Sequence, residues 1–151
     1  MRILALDYGE RRIGVAVSDE LGITAQGLTT LIRKNLQQDM GEITKVVEAY
    51  NVDRVVVGYP LRLDGTRGIQ CEKVDRFIGV LEKTLAVPVE RWDEGLSTWE
   101  AEEVLTEALV KGRKRKAVVD KIAACVILRD YLSHLRRQNT MNEEVEDPSW
   151  K

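Results

Sequence analysis

Three acidic positions stand where acids have little structural reason to be. Asp7 ends the apolar run Ile3-Leu4-Ala5-Leu6 and is followed by Tyr8-Gly9 and then Arg11-Arg12. Asp93 and Glu94 end a second run, Val87–Trp92, and precede Gly95-Leu96-Ser97-Thr98. Asp120 lies in Val118-Val119-Asp120-Lys121-Ile122-Ala123-Ala124. On a helix, Asp120 shares a face with Ala123, Ala124 and Ile127. An aspartate on a small, apolar face is costly to bury as a charge unless it is paired or meets a metal. Carboxylates brought into one cleft repel and raise each other's pKa until a cation neutralises them. Oxygen-only ligation suits Mg²⁺ or Mn²⁺, and such ions activate water for attack on a phosphodiester. Each acid also has a local use. Asp7 could form an Asx-type turn with Gly9, Asp93 and Glu94 could cap a helix near Ser97, and Asp120 could complement a helix dipole.

Cations accompany these acids. Arg11 and Arg12 follow Asp7, and Arg62 and Arg67 lie in Gly58-Tyr59-Pro60-Leu61-Arg62-Leu63-Asp64-Gly65-Thr66-Arg67-Gly68. Arg113, Lys114, Arg115 and Lys116 form a basic run. Net charge is −2, but residues 111–137 hold nine Lys/Arg against two acids, while residues 138–151 hold four acids against one Lys. One strongly basic block on a near-neutral chain suggests a local polyanion contact. A solvated helix face is the plainer alternative.

At 151 residues the length fits one domain with a proper core. No window is apolar enough for a membrane span, and Met1-Arg2 leads straight into strand-like sequence without a signal-peptide pattern, so a cytoplasmic setting is expected. Cys71 and Cys125 fall in helical patterns and read as small buried hydrophobes. With one histidine, His134, and no CxxC pair, zinc held by His and Cys is not expected.

The elements that must position these groups follow from periodicity. Strands are expected at Arg2–Asp7, Ile13–Ser18, Ile23–Leu31, Arg54–Gly58 and Val87–Trp92. Short Gly-bearing links make the first three antiparallel neighbours. Ile43, Val46, Val47 and Tyr50 mark a helix that stops near Asn51, and Val74, Phe77, Ile78, Leu81 and Leu85 mark a second. A third, capped by Ser97 or Thr98, carries Ala101, Val104, Leu105, Ala108 and Leu109; Lys111–Lys116 reads as a loop, and a last helix spans about Val118 to Arg137. These elements predict an α/β domain over residues 1–138. It has an RNase H-like five-stranded mixed sheet of order 3-2-1-4-5, with helices on both faces, and a disordered acidic tail follows over 139–151. Strands one, four and five then end on one edge, where open α/β sheets place ligands.

Asp7-Tyr8-Gly9-Glu10-Arg11-Arg12-Ile13-Gly14-Val15-Ala16, Gly58-Tyr59-Pro60 with Asp64-Gly65, Asp93-Glu94-Gly95-Leu96-Ser97-Thr98, and Asp120 with Ala123-Ala124 occur in that order. Together they resemble the YqgF (RuvX) family, bacterial RNase H-like proteins linked to pre-16S rRNA cleavage and Holliday junction resolution. The resemblance spans roughly Arg2 to Arg137. It implies a divalent-metal nuclease in rRNA maturation, with Asp7, Glu94 and Asp120 as catalytic and metal-binding acids. One departure is visible: Gly95 stands where the family usually has arginine.

The expected partner is nucleic acid, either pre-rRNA or branched DNA, gripped by Arg11, Arg12, Arg62, Arg67 and Arg113–Lys116 with little sequence readout. A homodimer is left open, and no membrane partner is expected. Two alternatives stand beside the rRNA nuclease: a Holliday junction resolvase, and a nucleic-acid-binding ribosome-assembly or transcription-associated factor with a vestigial site. An actin-type ATPase shares the opening strand-turn-strand but needs two such domains.

Overall fold

The computed structural model describes residues 1–59, 69–93 and 112–146, with side-chain surroundings for 1–59, 71–92 and 121–138. The strands are β1 (Ile3–Tyr8), β2 (Arg12–Ser18), β3 (Ala25–Ile32), β4 (Arg54–Tyr59) and β5 (Val89–Asp93). The helices are α1 (Leu36–Ala49), α2 (Ile69–Thr84) and α3 (Gly112–Glu146). One sheet runs β3-β2-β1-β4-β5, the order the periodicity predicts. β1–β2 and β2–β3 are antiparallel, and β1–β4 and β4–β5 are parallel.

Strand alternation divides the core in two. Leu4, Leu6, Val55 and Val57 face one side and pack with Ile43 and Val47 of α1 and Val74, Phe77, Ile78 and Leu81 of α2. Ile3, Ala5, Ala16 and Val56 face the other and pack with Ala124, Ile127, Leu128, Tyr131 and Leu132 of α3. β1 and β4 are covered on both faces, which is why their sequences are apolar almost throughout. α1 starts where the Asn35 side chain accepts from the Gln38 N–H at 2.8 Å. It ends at Ala49 with Tyr50 as its C-cap, and the next residue, Asn51, has a left-handed φ of 50° that suits asparagine. Cys71 is buried and Cys125 half-buried, both as free thiols. None of the described helices is long and apolar enough to cross a membrane.

Towards the N-terminal part of their contact, α3 and the sheet meet through small residues. Ala5, Ala16, Ala123 and Ala124 are all fully buried. On β3, a Cβ built at Gly27 would meet Lys121 Cγ at 2.9 Å, so only a glycine lets the lysine stem lie across the strand unshifted. Beyond this patch, the Tyr131 hydroxyl donates to Glu90 Oε2 at 2.5 Å and accepts from Arg54 Nη1 at 2.6 Å, tying α3 to β4 and β5.

α3 departs from the sequence expectation at both ends. Gly112–Lys116 is helical rather than a loop, and the helix runs on to Glu146, through residues 139–146 of the expected tail. Lys, Arg and Glu are good helix formers, so a helix anchored by Ala123–Leu132 propagates readily through flanks rich in them. The 35 residues span about 52 Å. The expected helix after Ser97 and residues 147–151 lie outside the described residues.

Replacing Ala124 with leucine should overpack this seam and lower stability by about 1–3 kcal/mol, read as a lower urea midpoint. An unchanged midpoint would mean that α3 sits less closely than described. Burial first, then the hydrogen bond to Glu90, raises the Tyr131 phenol above its ordinary pKa. A raised folded value makes a contribution that is complete below the unfolded tyrosine pKa of about 10 and is lost as pH rises through the folded value. Tyr131→Phe should therefore cost about 1 kcal/mol at neutral pH and flatten the alkaline loss of stability. An equally steep alkaline limb in the variant would exclude Tyr131 as its source.

Candidate active site

Asp7 is the penultimate residue of β1, the central strand, opposite Gly14 of β2. It alternates with Ile3 and Ala5, so it belongs to the face that α3 covers, and it is half-buried there. The turn that follows is tight. The Gly9 N–H donates to the Arg12 carbonyl at 2.9 Å, and a Cβ at Gly9 would stand 2.8 Å from that oxygen. Glycine is therefore required two residues past the acid.

α3 brings its own acid to the same side. Its Lys121 stem lies over Gly27, which pairs with Ala16 and through it with Ala5. One turn later the Cys125 thiol donates to the Ala25 carbonyl at 3.5 Å, opposite Ser18, whose hydroxyl accepts from the Ile3 N–H at 2.8 Å. Rising residue numbers on α3 thus run from the Asp7 end of β1 towards its start. Asp120, just before Lys121, sits on the Asp7 side, and Arg113–Lys116 lie in the first turns of α3, further in that direction.

β5 ends on the same edge. Continuing the β1–β4 register by one step sets Asp7 beside Gly58, and Gly58 pairs with Trp92. Glycine adds no side chain between them. The Trp92 ring meets Tyr131 edge-on at 5.4 Å and His134 at 5.0 Å, which fixes it to the α3 side. Asp93, opposite Tyr59, has the other parity. Glu94, Arg62 and Arg67 lie outside the described residues, as does the Gly-rich segment after Tyr59. Arg11 is exposed in the β1–β2 turn, and Arg12, half-buried, opens β2 beside it.

The sequence reading missed what holds this turn. Arg33 Nη1 donates to the carbonyls of Gly9 at 3.0 Å and Glu10 at 2.9 Å. Its guanidinium lies 4.4 Å from the Tyr8 ring centroid, and Tyr8 stacks on Phe77 at 4.2 Å. Asp39, buried, lies 3.8 Å from Arg33 Nε and accepts from the Lys34 N–H at 3.0 Å. No periodic signal marks Arg33. Only the β2–β3 pairing, which sets Ile32 opposite Arg12, delivers it to the turn.

The donors fit a hard divalent cation in kind: carboxylates, with no thiol or imidazole among the three acids. Among the described residues alone, no group of three metal-ligating side chains forms.

The family model described as RuvX, Holliday junction resolvase, matches residues 1–134. A protein of Syntrophus aciditrophicus (strain SB) named "Putative pre-16S rRNA nuclease" is 59% identical over 138 residues, 91% of this chain and 92% of that relative. One of the same name from Halothermothrix orenii is 52% identical over 134 residues, 89% of this chain and 96% of that relative. Among solved structures, T. thermophilus RuvC in complex with a Holliday junction substrate superposes with a TM-score of 0.56 at 14% identity, covering 89% of this chain and 96% of that one. The likeness is one of fold, and that fold is RNase H-like.

Arg33→Gln should strip both carbonyls of the turn of their charged donor and leave Asp39 without its cation, at a cost of about 2 kcal/mol. Amide exchange at Gly9 should accelerate in the same variant. A full-strength urea midpoint with unchanged exchange would show that the turn holds without the guanidinium.

Proposed function

The chain belongs to the RuvX family, and we propose that it is a divalent-metal-dependent endonuclease of structured nucleic acid, with the 16S rRNA precursor as its substrate. The observation that carries this reading is the convergence of Asp7 and the backbone position of Asp120 on one side of the sheet, at the edge where β1, β4 and β5 all end. Glu94 completes the proposed set. Asp93, opposite Tyr59, falls on the other face of the sheet from Asp7. β5 stands two strand spacings from β1, about 10 Å, so the longer glutamate arm suits that distance better than an aspartate.

In this site Asp7, Glu94 and Asp120 would hold the cation through carboxylate oxygens. The bound ion supplies charge neutralisation at the attacked phosphate and acidifies a water molecule. The protein's own part is positional. The Gly9 turn, clamped by Arg33, fixes Asp7 from behind. The Ala123–Ala124 seam fixes the height of α3 and so of Asp120. Arg11, Arg12 and the run Arg113–Lys116 supply sequence-independent attraction for the phosphate backbone. Such a protein works in the cytoplasm.

Asp7→Asn should leave the fold intact and cut Mg²⁺- or Mn²⁺-dependent cleavage of a precursor 16S rRNA end by about 100-fold or more. Equal cleavage by both proteins would refute the acid site, and a branched DNA assayed alongside decides between RNA and junction substrates. Gly95, where relatives in the family usually carry arginine, favours one second reading, a nucleic-acid-binding factor with a vestigial site. Calorimetry separates the two: no Mn²⁺ uptake with retained RNA affinity would select the second.

A further inference from the structure

On the opposite side of the same edge from Asp7 lies a cleft of about 530 Å³, between the β1–β2 turn and the first half of α2. Asp7 and Tyr8 are consecutive in β1 and take opposite faces. The acid site and the cleft are therefore back to back, separated by the turn at Gly9, which adds no side chain to the rim. Among the described residues, three cations line the cleft, Arg33, Lys73 and Arg76, against one carboxylate, Glu10.

Their engagements differ. Arg33 is committed to the Gly9 and Glu10 carbonyls. It also covers one face of the Tyr8 ring while Phe77 covers the other, so Tyr8 forms a fixed wall and offers no surface for base stacking. Recognition is left to Lys73 and Arg76. Spaced three apart on α2, they project on one side of the helix, about 5–6 Å apart at Cβ. Lys73 meets Glu10 at 3.4 Å, but Glu10 is 73% exposed, and a pair so solvated is readily exchanged for a phosphate. Arg76 is exposed and makes no ion pair with a described carboxylate.

We infer that this cleft binds the backbone of the single strand flanking the cleavage site, with Lys73 and Arg76 on its phosphates, so that the nucleic acid straddles the sheet edge over Gly9. The inference rests on the nuclease reading for the meaning of "cleavage site", but its test does not require cleavage. The strand is recognised through phosphate charge, without base readout.

The test measures binding of a fluorescein-labelled RNA hairpin with single-stranded 5′ and 3′ flanks, by anisotropy in EDTA over a salt series. Wild type is compared with Lys73→Ala/Arg76→Ala and with the charge-matched control Lys45→Ala/Lys83→Ala. The control residues are exposed and do not line the cleft. The cleft variant should bind about tenfold more weakly, and its slope of log K against log salt should be shallower by about 1.4, two single-strand phosphate contacts. The control should match wild type. On the same hairpin trimmed of its flanks, the cleft variant and wild type should bind alike. An equal loss in the control, a deficit that persists on the trimmed hairpin, or no deficit at all overturns the inference. The same DNA hairpin reports whether the strand must be RNA. Because no metal is present, failure here is separate from failure of Asp7→Asn to lose cleavage.

Discussion

The structure depends on how closely α3 can approach the sheet. Ala5, Ala16 and Gly27 on three adjacent strands, and Ala124 on the helix, keep the seam narrow, with the Lys121 stem lying over Gly27. With little side-chain bulk to separate them, backbone meets backbone across the layer, and interior packing tolerates few voids. The height and angle of α3 follow from that seam, as does the distance from Asp120 to the end of β1. Larger residues further along, Ile127, Leu128 and Tyr131, then bury most of the apolar area that holds the helix down.

The two faces of the sheet divide the work. α1 and α2 close a continuous aliphatic core with Phe77 and Tyr8 at its margin. α3 closes a smaller one, and its edge is where a charged side chain, Asp7, takes the place of the next apolar residue in the alternation Ile3, Ala5. The turn between these regimes carries no packing of its own. It is held by a chain of polar contacts from buried Asp39 through Arg33 to two backbone carbonyls. Polar support of this kind is directional, which suits a segment that must hold one geometry with few apolar contacts.

Much of the fold was legible because strong local patterns agreed with the global arrangement. Apolar runs such as Val55–Val57 suit strands covered on both faces, and Gly9 and Gly22 mark the tight links between antiparallel neighbours. The acids were legible in kind, since Asp7 and Asp120 each interrupt an apolar pattern. The face that Asp93 takes was not legible, because it depends on register between β4 and β5. Arg33, Lys73 and Arg76 were invisible for the same reason: their significance comes from pairing across distant segments. The ends of α3 misled because basic and acidic flanks look like loop and tail when read for burial alone. A helix already nucleated extends through them at little cost.

One feature of α3 acts beyond any contact it makes. Helices commonly place acids in the first turn and bases in the last, which offsets their macrodipole. α3 has no acid in its first turn and no base in its last, and its basic run leads while its acids trail. Side-chain charge and peptide dipoles therefore add along an axis of about 52 Å. The protein is close to electrically neutral, yet α3 is polarised along its length, positive at the end nearest the Asp7 edge. In the field of a polyanion such a body feels a torque before it feels a net pull. It turns its α3 N-terminus inward as it approaches, an orientation that fades once added salt shortens the Debye length well below that axis.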